Sequence, residues 1–150
     1  NYAEALRWGF ETVRQTGMLI NNHIIRVQGT LEENDAGYRK MPGTELKNEQ
    51  IGEIVYIPPQ TYDEILKLMN NLELFMNDNS LCDWDPLVKM AIIHHQFESI
   101  HPFYDGNSRT GRIINILYLV KEGLLNLPIL YLSRYINKKQ RRLLPFITKG

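Results

Sequence analysis

Apolar residues recur at helical spacing along most of the chain, in segments separated by glycine, proline or polar residues. Apolar positions three to four residues apart are typical of helices that bury one face. The pattern predicts helices over Tyr2–Thr16, Met18–Glu33, a segment that starts behind Thr61, Pro86–Ser99, Arg109–Glu122 and Leu130–Asn137. Gly17 and Gly123 are the expected stops of the first and fifth helices, since glycine commonly follows a helix C-terminus.

Two of these helices have clear start signals. Thr61 and Glu64 form a capping-box pattern. Asp85 followed by Pro86 is a typical helix start, with a capping carboxylate before a proline in the first turn. The face that should be buried in the helix behind Thr61 carries Ile65, Leu68, Met69, Leu72, Phe75 and Met76.

The segment from Tyr38 to Pro59 differs from the rest because it is rich in glycine and proline. Two short runs, Thr44–Lys47 and Glu53–Ile57, can pair across a turn at Asn48–Gly52. We therefore predict a small β-hairpin, the only sheet expected, within one mainly helical domain.

The composition excludes few classes of protein and adds one expectation, about the cellular compartment. The 150 residues contain 17 Lys plus Arg and 17 Asp plus Glu, so no net charge draws the chain to nucleic acid or to a membrane surface. The longest apolar runs are too short to span a bilayer. Cys82 is the single cysteine, which favours a reducing compartment. We expect a bacterial, cytoplasmic protein.

The loop before the fifth predicted helix carries the candidate chemistry. It reads HPFYDGNSRTGR from His101 to Arg112. A helix start presents unpaired N–H groups and a positive dipole end, and Gly106-Asn107 lets the backbone point further N–H groups inward. Arg109 and Arg112 share a face of the first turn, where guanidinium groups suit phosphate oxygens. The pattern indicates a polyphosphate site.

Asp105 and His101 add a metal ligand and a base. Mg²⁺ is commonly held by one or two carboxylates together with substrate phosphates, and His101 is the loop residue able to act as a base near neutral pH. Phosphate, metal and base together suggest phosphoryl or nucleotidyl transfer. The alternative is that the two arginines are ordinary surface residues. Against it, two cations at a positive helix end are unfavourable unless an anion joins them.

The same loop resembles the signature of the Fic family, H-x-F-x-[DE]-G-N-G-R-x-x-R. Seven of its eight fixed positions match: His101, Phe103, Asp105, Gly106, Asn107, Arg109 and Arg112. The similarity extends over about residues 1–137. The resemblance implies a single Fic domain over 1–150, a fragment of a longer protein. Its fold would be a helical bundle with a β-hairpin flap over the active site.

The resemblance also implies an activity, that of a protein adenylyltransferase. His101 would take the proton from a Tyr, Thr or Ser hydroxyl of a target protein, which can be the chain itself. That oxygen would attack the α-phosphorus of ATP and release pyrophosphate. Asp105 would hold Mg²⁺, and Phe103 would anchor the loop. The residues implied in phosphate and nucleotide binding are Gly106, Asn107, Ser108, Arg109 and Arg112.

The hairpin flap would dock the target segment by adding it as a strand, through main-chain hydrogen bonds with little demand on target sequence. The residues implied are Lys47, Asn48, Glu49, Gln50, Ile51, Gly52, Glu53 and Ile54. Family members are often inhibited by a helix bearing [S/T]-x-x-x-E-[G/N], whose Glu pairs with the second arginine, here Arg112. No match occurs in the 150 residues. We therefore expect this helix in a missing segment or a partner chain.

Ser108 is the one departure from the signature, which has glycine there. A positive φ at this position would strain a serine, whereas its hydroxyl could donate to a phosphate or cap the following helix. Two alternatives to AMP transfer therefore stay open. One is a related transfer, of another nucleotide, phosphocholine or phosphate, or AMP removal. The other is a nucleotide-binding regulatory module weakened by Ser108.

Overall fold

The computed structural model describes residues 1–128. Its helices are α1 Tyr2–Thr16, α2 Asn21–Glu32, α3 Tyr62–Asn77, α4 Pro86–Ile100 and α5 Asn107–Lys121, with a 3-10 turn at Asn79–Leu81 and strands β1 Leu46–Lys47 and β2 Ile54–Tyr56. The expected mainly helical class with one small hairpin is confirmed. The predicted helix Leu130–Asn137 lies outside the described residues.

Helix α5 is the centre of the bundle. Every residue from Ile113 to Val120 is buried, because α1, α2 and α4 all pack against this helix. A helix that is apolar on all sides is expected to lie inside a fold. Helix α3 packs against α4 and α2, and its buried residues are Ile65, Met69, Leu72 and Met76. The start of α5 is therefore fixed by the core, and the motif loop joins two core helices.

The predicted helix ends agree with the structure where a local signal defined them. Gly17 adopts a left-handed conformation, with φ 68°, after α1. The Thr61 hydroxyl accepts a hydrogen bond from the Glu64 N–H at 3.3 Å, and the Asp85 carboxylate accepts one from the Leu87 N–H at 2.8 Å. These side chains satisfy N–H groups that the first helical turn leaves unpaired.

Two predicted helix starts were wrong. Helix α2 begins at Asn21 rather than Met18, because Ile20 is extended and the Leu19 N–H donates to Asn77 Oδ1 of α3 at 3.0 Å. Helix α5 begins at Asn107, two residues before the predicted start at Arg109, because Gly106 in a left-handed conformation serves as its N-cap. The predicted nest residue Asn107 and Ser108 are therefore part of the first helical turn.

The hairpin forms where the sequence predicts it. Strands β1 and β2 are antiparallel, with Leu46 opposite Tyr56 and Lys47 opposite Ile54 across an irregular register. The Asn48 N–H donates to the Glu53 carbonyl at 2.8 Å and closes the turn. The strands are shorter than the predicted runs and their residues are mostly exposed. None of the helices between residues 1 and 128 has the length and apolar content needed to cross a membrane.

Phe103 is the anchor of the motif loop. Its side chain is completely buried and lies near Phe97, with ring centroids 6.3 Å apart, and near Tyr38, at 5.2 Å. Phe103→Ala should lower the free energy of unfolding by about 3–5 kcal/mol, the usual cost of emptying a buried aromatic site. Urea unfolding would measure the loss. Tyr56→Ala, at an exposed hairpin position, should change it little, and equal losses in both variants would contradict this assignment.

Candidate active site

The motif loop lines a pocket of about 210 Å³ between the end of α4 and the start of α5. The lining residues are His101, Tyr104, Asp105, Gly106, Asn107, Ser108 and Arg109. Six of these seven are sequence-predicted site residues, and the seventh, Tyr104, was not predicted. Arg112, one turn further along α5, is exposed and does not line this pocket. The predicted base and most of the predicted phosphate site thus share one cavity.

The loop is closed by the side chain of Asn107. Its Oδ1 accepts from the Phe103 N–H at 3.0 Å, and its Nδ2 donates to the Phe103 carbonyl at 2.9 Å. Asn107 is buried, so both bonds lie out of water. Because its amide is used inside the loop, only the backbone N–H of Asn107 is left for a phosphate.

His101 is the C-cap residue that follows α4, and its backbone is in a left-handed conformation, with φ 49° and ψ 58°. A residue with a Cβ pays about 1–2 kcal/mol for that conformation. Pro102 follows and disfavours the right-handed helical alternative. His101, the candidate base, therefore has a backbone conformation that costs free energy and needs support from other residues.

The pKa of His101 lies below its usual value, chiefly because the ring is partly buried and loses hydration in its charged form. The Glu98 carboxylate and backbone carbonyl raise this pKa, and the Arg39 guanidinium lowers it. A lowered pKa leaves the imidazole neutral at neutral pH, which is the form that can accept a proton.

The start of α5 offers free hydrogen-bond donors to the pocket. Gly106 has φ 77°, and no side chain caps the helix. Among the contacts of residues 1–128, the N–H groups of Asn107, Ser108 and Arg109 donate no hydrogen bond; the first helical bond is from the Thr110 N–H to the Gly106 carbonyl. Three N–H groups at a positive helix end form an anion site.

Glu32, from the last turn of α2, reaches into this anion site. Arg109 Nη2 donates to Glu32 Oε2 at 2.8 Å and lies 2.7 Å from Oε1. A Cβ built on Gly106 would be 2.8 Å from the carboxyl carbon of Glu32. Gln28, one turn earlier, donates to the Asp105 carbonyl at 3.2 Å. The protein's own carboxylate therefore lies beside the donors that a phosphate would use.

Ser108 does not need the glycine conformation. It is the second residue of α5, and its φ is not positive. Its hydroxyl donates to Glu98 Oε2 at 3.4 Å, and the other oxygen of Glu98 lies within 2.7 Å of the position of a Cβ on Gly111. The substitution of glycine by serine is thus accommodated without backbone strain.

Asp105 is exposed at the mouth of the pocket, where its Oδ1 accepts from the Gly106 N–H at 2.7 Å. Within residues 1–128, no three His, Cys, Asp or Glu side chains are grouped to hold a metal on their own. One carboxylate beside a phosphate site does fit Mg²⁺, which takes few protein ligands and completes its shell with phosphate oxygens and water.

The predicted docking residues of the hairpin, Lys47 to Ile54, do not line the pocket. They are exposed on the separate hairpin, and Ile51 and Ile54 leave 65% and 50% of their surface uncovered. These apolar side chains are therefore accessible to a binding partner.

Sequence reasoning missed Tyr104 within the motif. It also missed Gln28, Glu32, Arg39 and Glu98, which contact the motif from outside. Glu98 had a usable signal, since it precedes His101 by one helical turn on the same helix. Glu32 and Arg39 had none, because each reaches the loop from a distant part of the chain.

Comparison with known proteins identifies the family. The model of the Fic/DOC family matches residues 18–119, which include both the motif and the hairpin. The chain belongs to the Fic/DOC family. It is 30% identical over 98 residues to protein adenylyltransferase fic-1 of Caenorhabditis briggsae, and 33% identical over 81 residues to protein adenylyltransferase Fic of Drosophila erecta. These alignments cover 65% and 54% of this chain but only 18% and 16% of the relatives.

Solved structures of Fic proteins share the fold. A fragment of Fic-1 from Caenorhabditis elegans aligns with 98% of this chain and 42% of its own, at 20% identity and a TM-score of 0.67. A Fic family protein from Desulfovibrio desulfuricans aligns with 93% of this chain and 42% of its own, at 26% identity and a TM-score of 0.65. The arrangement of helices is therefore that of the Fic fold.

The balance of charges around His101 gives a testable titration. Glu98→Gln should lower the pKa of His101 further, because it removes a negative charge that favours the protonated ring. A histidine-selective NMR titration would measure this. Glu4→Gln, at an exposed position in α1, is the matched control and should leave the His101 midpoint unchanged. A rise of the midpoint in Glu98→Gln would contradict the assignment.

Proposed function

We propose that this domain transfers AMP from Mg-ATP to a Tyr, Thr or Ser hydroxyl of a protein, with release of pyrophosphate. The observation that carries the proposal is the pocket in which His101, Arg109 and the free N-terminus of α5 meet. The relatives named as protein adenylyltransferases support the same activity.

The proton transfer is assigned to His101. Its neutral ring accepts the hydroxyl proton as the oxygen forms a bond to the α-phosphorus, and the bond from that phosphorus to the bridging oxygen of pyrophosphate breaks. Pyrophosphate leaves with the electron pair of that bond. The depressed pKa favours the free base at neutral pH, so the rate should rise with pH through the His101 pKa and level off near neutrality.

Phosphate binding is assigned to the start of α5. The N–H groups of Asn107, Ser108 and Arg109, together with the Arg109 guanidinium, stabilise the negative oxygens. Arg112 is exposed on the next turn of the helix, from which a long side chain can reach the outer phosphates. The three N–H groups are fixed by the helix before the substrate arrives, whereas the Arg109 guanidinium must first exchange Glu32 for phosphate.

Asp105 is the residue that would hold Mg²⁺. The ion would neutralise phosphate charge and make pyrophosphate a better leaving group. With its side chain exposed at the mouth of the pocket, Asp105 can approach a bound triphosphate from the solvent side.

The hairpin is assigned to the target protein. Its two strands form a sheet with no third strand among the described residues, so a target segment could add along an edge through main-chain hydrogen bonds. Exposed Ile51, Ile54 and Val55 offer apolar contacts to that segment. Little sequence specificity is needed beyond the hydroxyl.

We also propose a cellular location for the protein and a mode of inhibition for the domain. The unpaired Cys82 supports a reducing, cytoplasmic setting. The inhibitory helix directed at Arg112 stays a prediction for a segment or partner outside this chain. The exposed Arg112 side chain is accessible to such a partner.

Labelled ATP tests the reaction directly. With α-labelled ATP we expect label on protein, including the domain itself, and with γ-labelled ATP none. His101→Ala should abolish transfer, because it removes the base. The control is His95→Ala, an exposed histidine on the same helix, which should retain activity. Label from γ-labelled ATP alone would indicate a kinase, and binding without transfer would indicate a regulatory module; either result contradicts the proposal.

The Glu32→Gln variant tests whether the Glu32 carboxylate must be displaced from Arg109 when phosphate binds. The variant should bind Mg-ATP about three- to tenfold more tightly, since a partly exposed ion pair costs up to about 1 kcal/mol to break and a repulsive charge is also removed. Calorimetric titration would measure the change. Glu33→Gln, the exposed neighbour, is the control and should bind as the wild type does. Weaker binding in Glu32→Gln would show that the carboxylate assists the nucleotide.

A further inference from the structure

Arg39 is a completely buried arginine in the connection between α2 and the hairpin. Among the ion pairs of residues 1–128 it has no carboxylate partner. Its side chain instead donates to backbone carbonyls: Nε to His101 at 2.7 Å, and Nη2 to Ile100 at 3.3 Å and to Pro59. Its Nη1 is buried without a hydrogen-bond partner. A buried charge that is bonded only to main-chain oxygens is costly to maintain, which suggests a role beyond packing.

The first reason lies at the end of α4. Ile100 is the last residue of α4 and His101 is the first of the motif loop, and their carbonyls lie at the negative end of the helix dipole, where a cation is favourable. His101 adopts the left-handed conformation, which turns its carbonyl out of the helical path. Arg39 binds that carbonyl, and so stabilises the backbone conformation that places the imidazole in the pocket.

The second reason lies at the hairpin. Pro59 ends the segment that follows β2, so Arg39 joins the end of the hairpin segment to the catalytic histidine. A parallel tie is made from the loop side, where the Tyr104 hydroxyl oxygen accepts the N–H groups of Lys40 at 2.9 Å and Met41 at 3.0 Å. The Arg39 N–H itself donates to the Pro102 carbonyl at 2.8 Å. The start of the hairpin segment is thus bonded directly to the motif loop, and its end at Pro59 is bonded to the loop through Arg39.

We infer that Arg39 is a positioning residue. It holds His101 in its left-handed conformation and bonds the base of the hairpin to it. The docked target segment and the proton acceptor thereby keep a fixed relative position. The inference rests on the proposed transfer reaction. Arg39 does not line the phosphate pocket, and its contacts are all with backbone. It therefore acts on the geometry of the base and of the docked target, and leaves nucleotide binding alone.

The test separates catalysis from nucleotide binding. Arg39→Lys keeps the charge but loses the fork that reaches three carbonyls, and Arg39→Gln loses the charge as well. We expect kcat for protein labelling to fall about 10- to 100-fold, the usual effect of a displaced catalytic group. KM for Mg-ATP should stay within about twofold, because the α5 donors are untouched. Lys67→Gln, at an exposed position of α3, should behave as the wild type does.

A second readout needs no activity. Glu98 of α4 and Arg39 act electrostatically on His101. Asp105 and Arg109 line the same pocket, where Arg109 is paired with Glu32 of α2. Of these, Arg39 lowers the pKa of His101, so its midpoint in an NMR titration should rise in Arg39→Gln and rise less in Arg39→Lys. If the wild type transfers no AMP, the proposed function fails while this titration still tests Arg39.

The inference is overturned if folded Arg39→Gln keeps both the wild-type His101 midpoint and the wild-type kcat, or if its losses appear only in KM for Mg-ATP. Circular dichroism and thermal unfolding would establish that each variant is folded. Should both Arg39 variants fail to fold, Tyr104→Phe tests the parallel tie at an exposed side chain. It should lower kcat at least threefold, and wild-type kcat in that variant would refute the coupling of hairpin and loop.

Discussion

The pair of hydrogen bonds between the Asn107 side chain and the Phe103 backbone is the contact on which the site depends. It closes the loop between α4 and α5 on itself, out of water, while Phe103 fixes the loop to the core. Because a buried amide that lost either bond would be left unpaired at a cost of about 1–3 kcal/mol, the two bonds favour the closed form of the loop. That form turns the free N-terminus of α5 towards the ring of His101.

The Glu32 carboxylate balances the positive charge at the start of α5. Free N–H groups and an arginine at a positive helix end would repel one another unless an anion lay between them. Glu32 supplies that anion from α2. Phosphate binding is then an exchange of one anion for another, and the strength of the site depends on how readily α2 releases its carboxylate. The same helix also holds the loop through Gln28, so α2 contributes to both the shape and the charge of the pocket.

The sequence could predict those features that depend on residues close together in the chain. Helix caps such as Thr61 and Asp85, the hairpin turn and the motif depend on neighbours within a few residues, and the structure places all of them where the pattern indicated. The start of α2 could not be predicted, because Asn77 on α3 decides it. Glu32 and Arg39 were missed for the same reason. Each acts 62 or more residues away along the chain, at Arg109 and at His101, and no spacing rule links residues so distant.

Two different constraints favour glycine in the motif: a left-handed backbone conformation and a lack of space for a side chain. Gly106 needs a left-handed conformation, and a Cβ there would also collide with Glu32. Gly111 is helical but lets Glu98 approach α5, where a Cβ would lie 2.7 Å from Oε1. Ser108 meets neither constraint: it is helical, exposed, and its hydroxyl faces Glu98. A side chain at position 108 therefore leaves the anion site intact, and its hydroxyl adds a link between the two core helices on either side of His101.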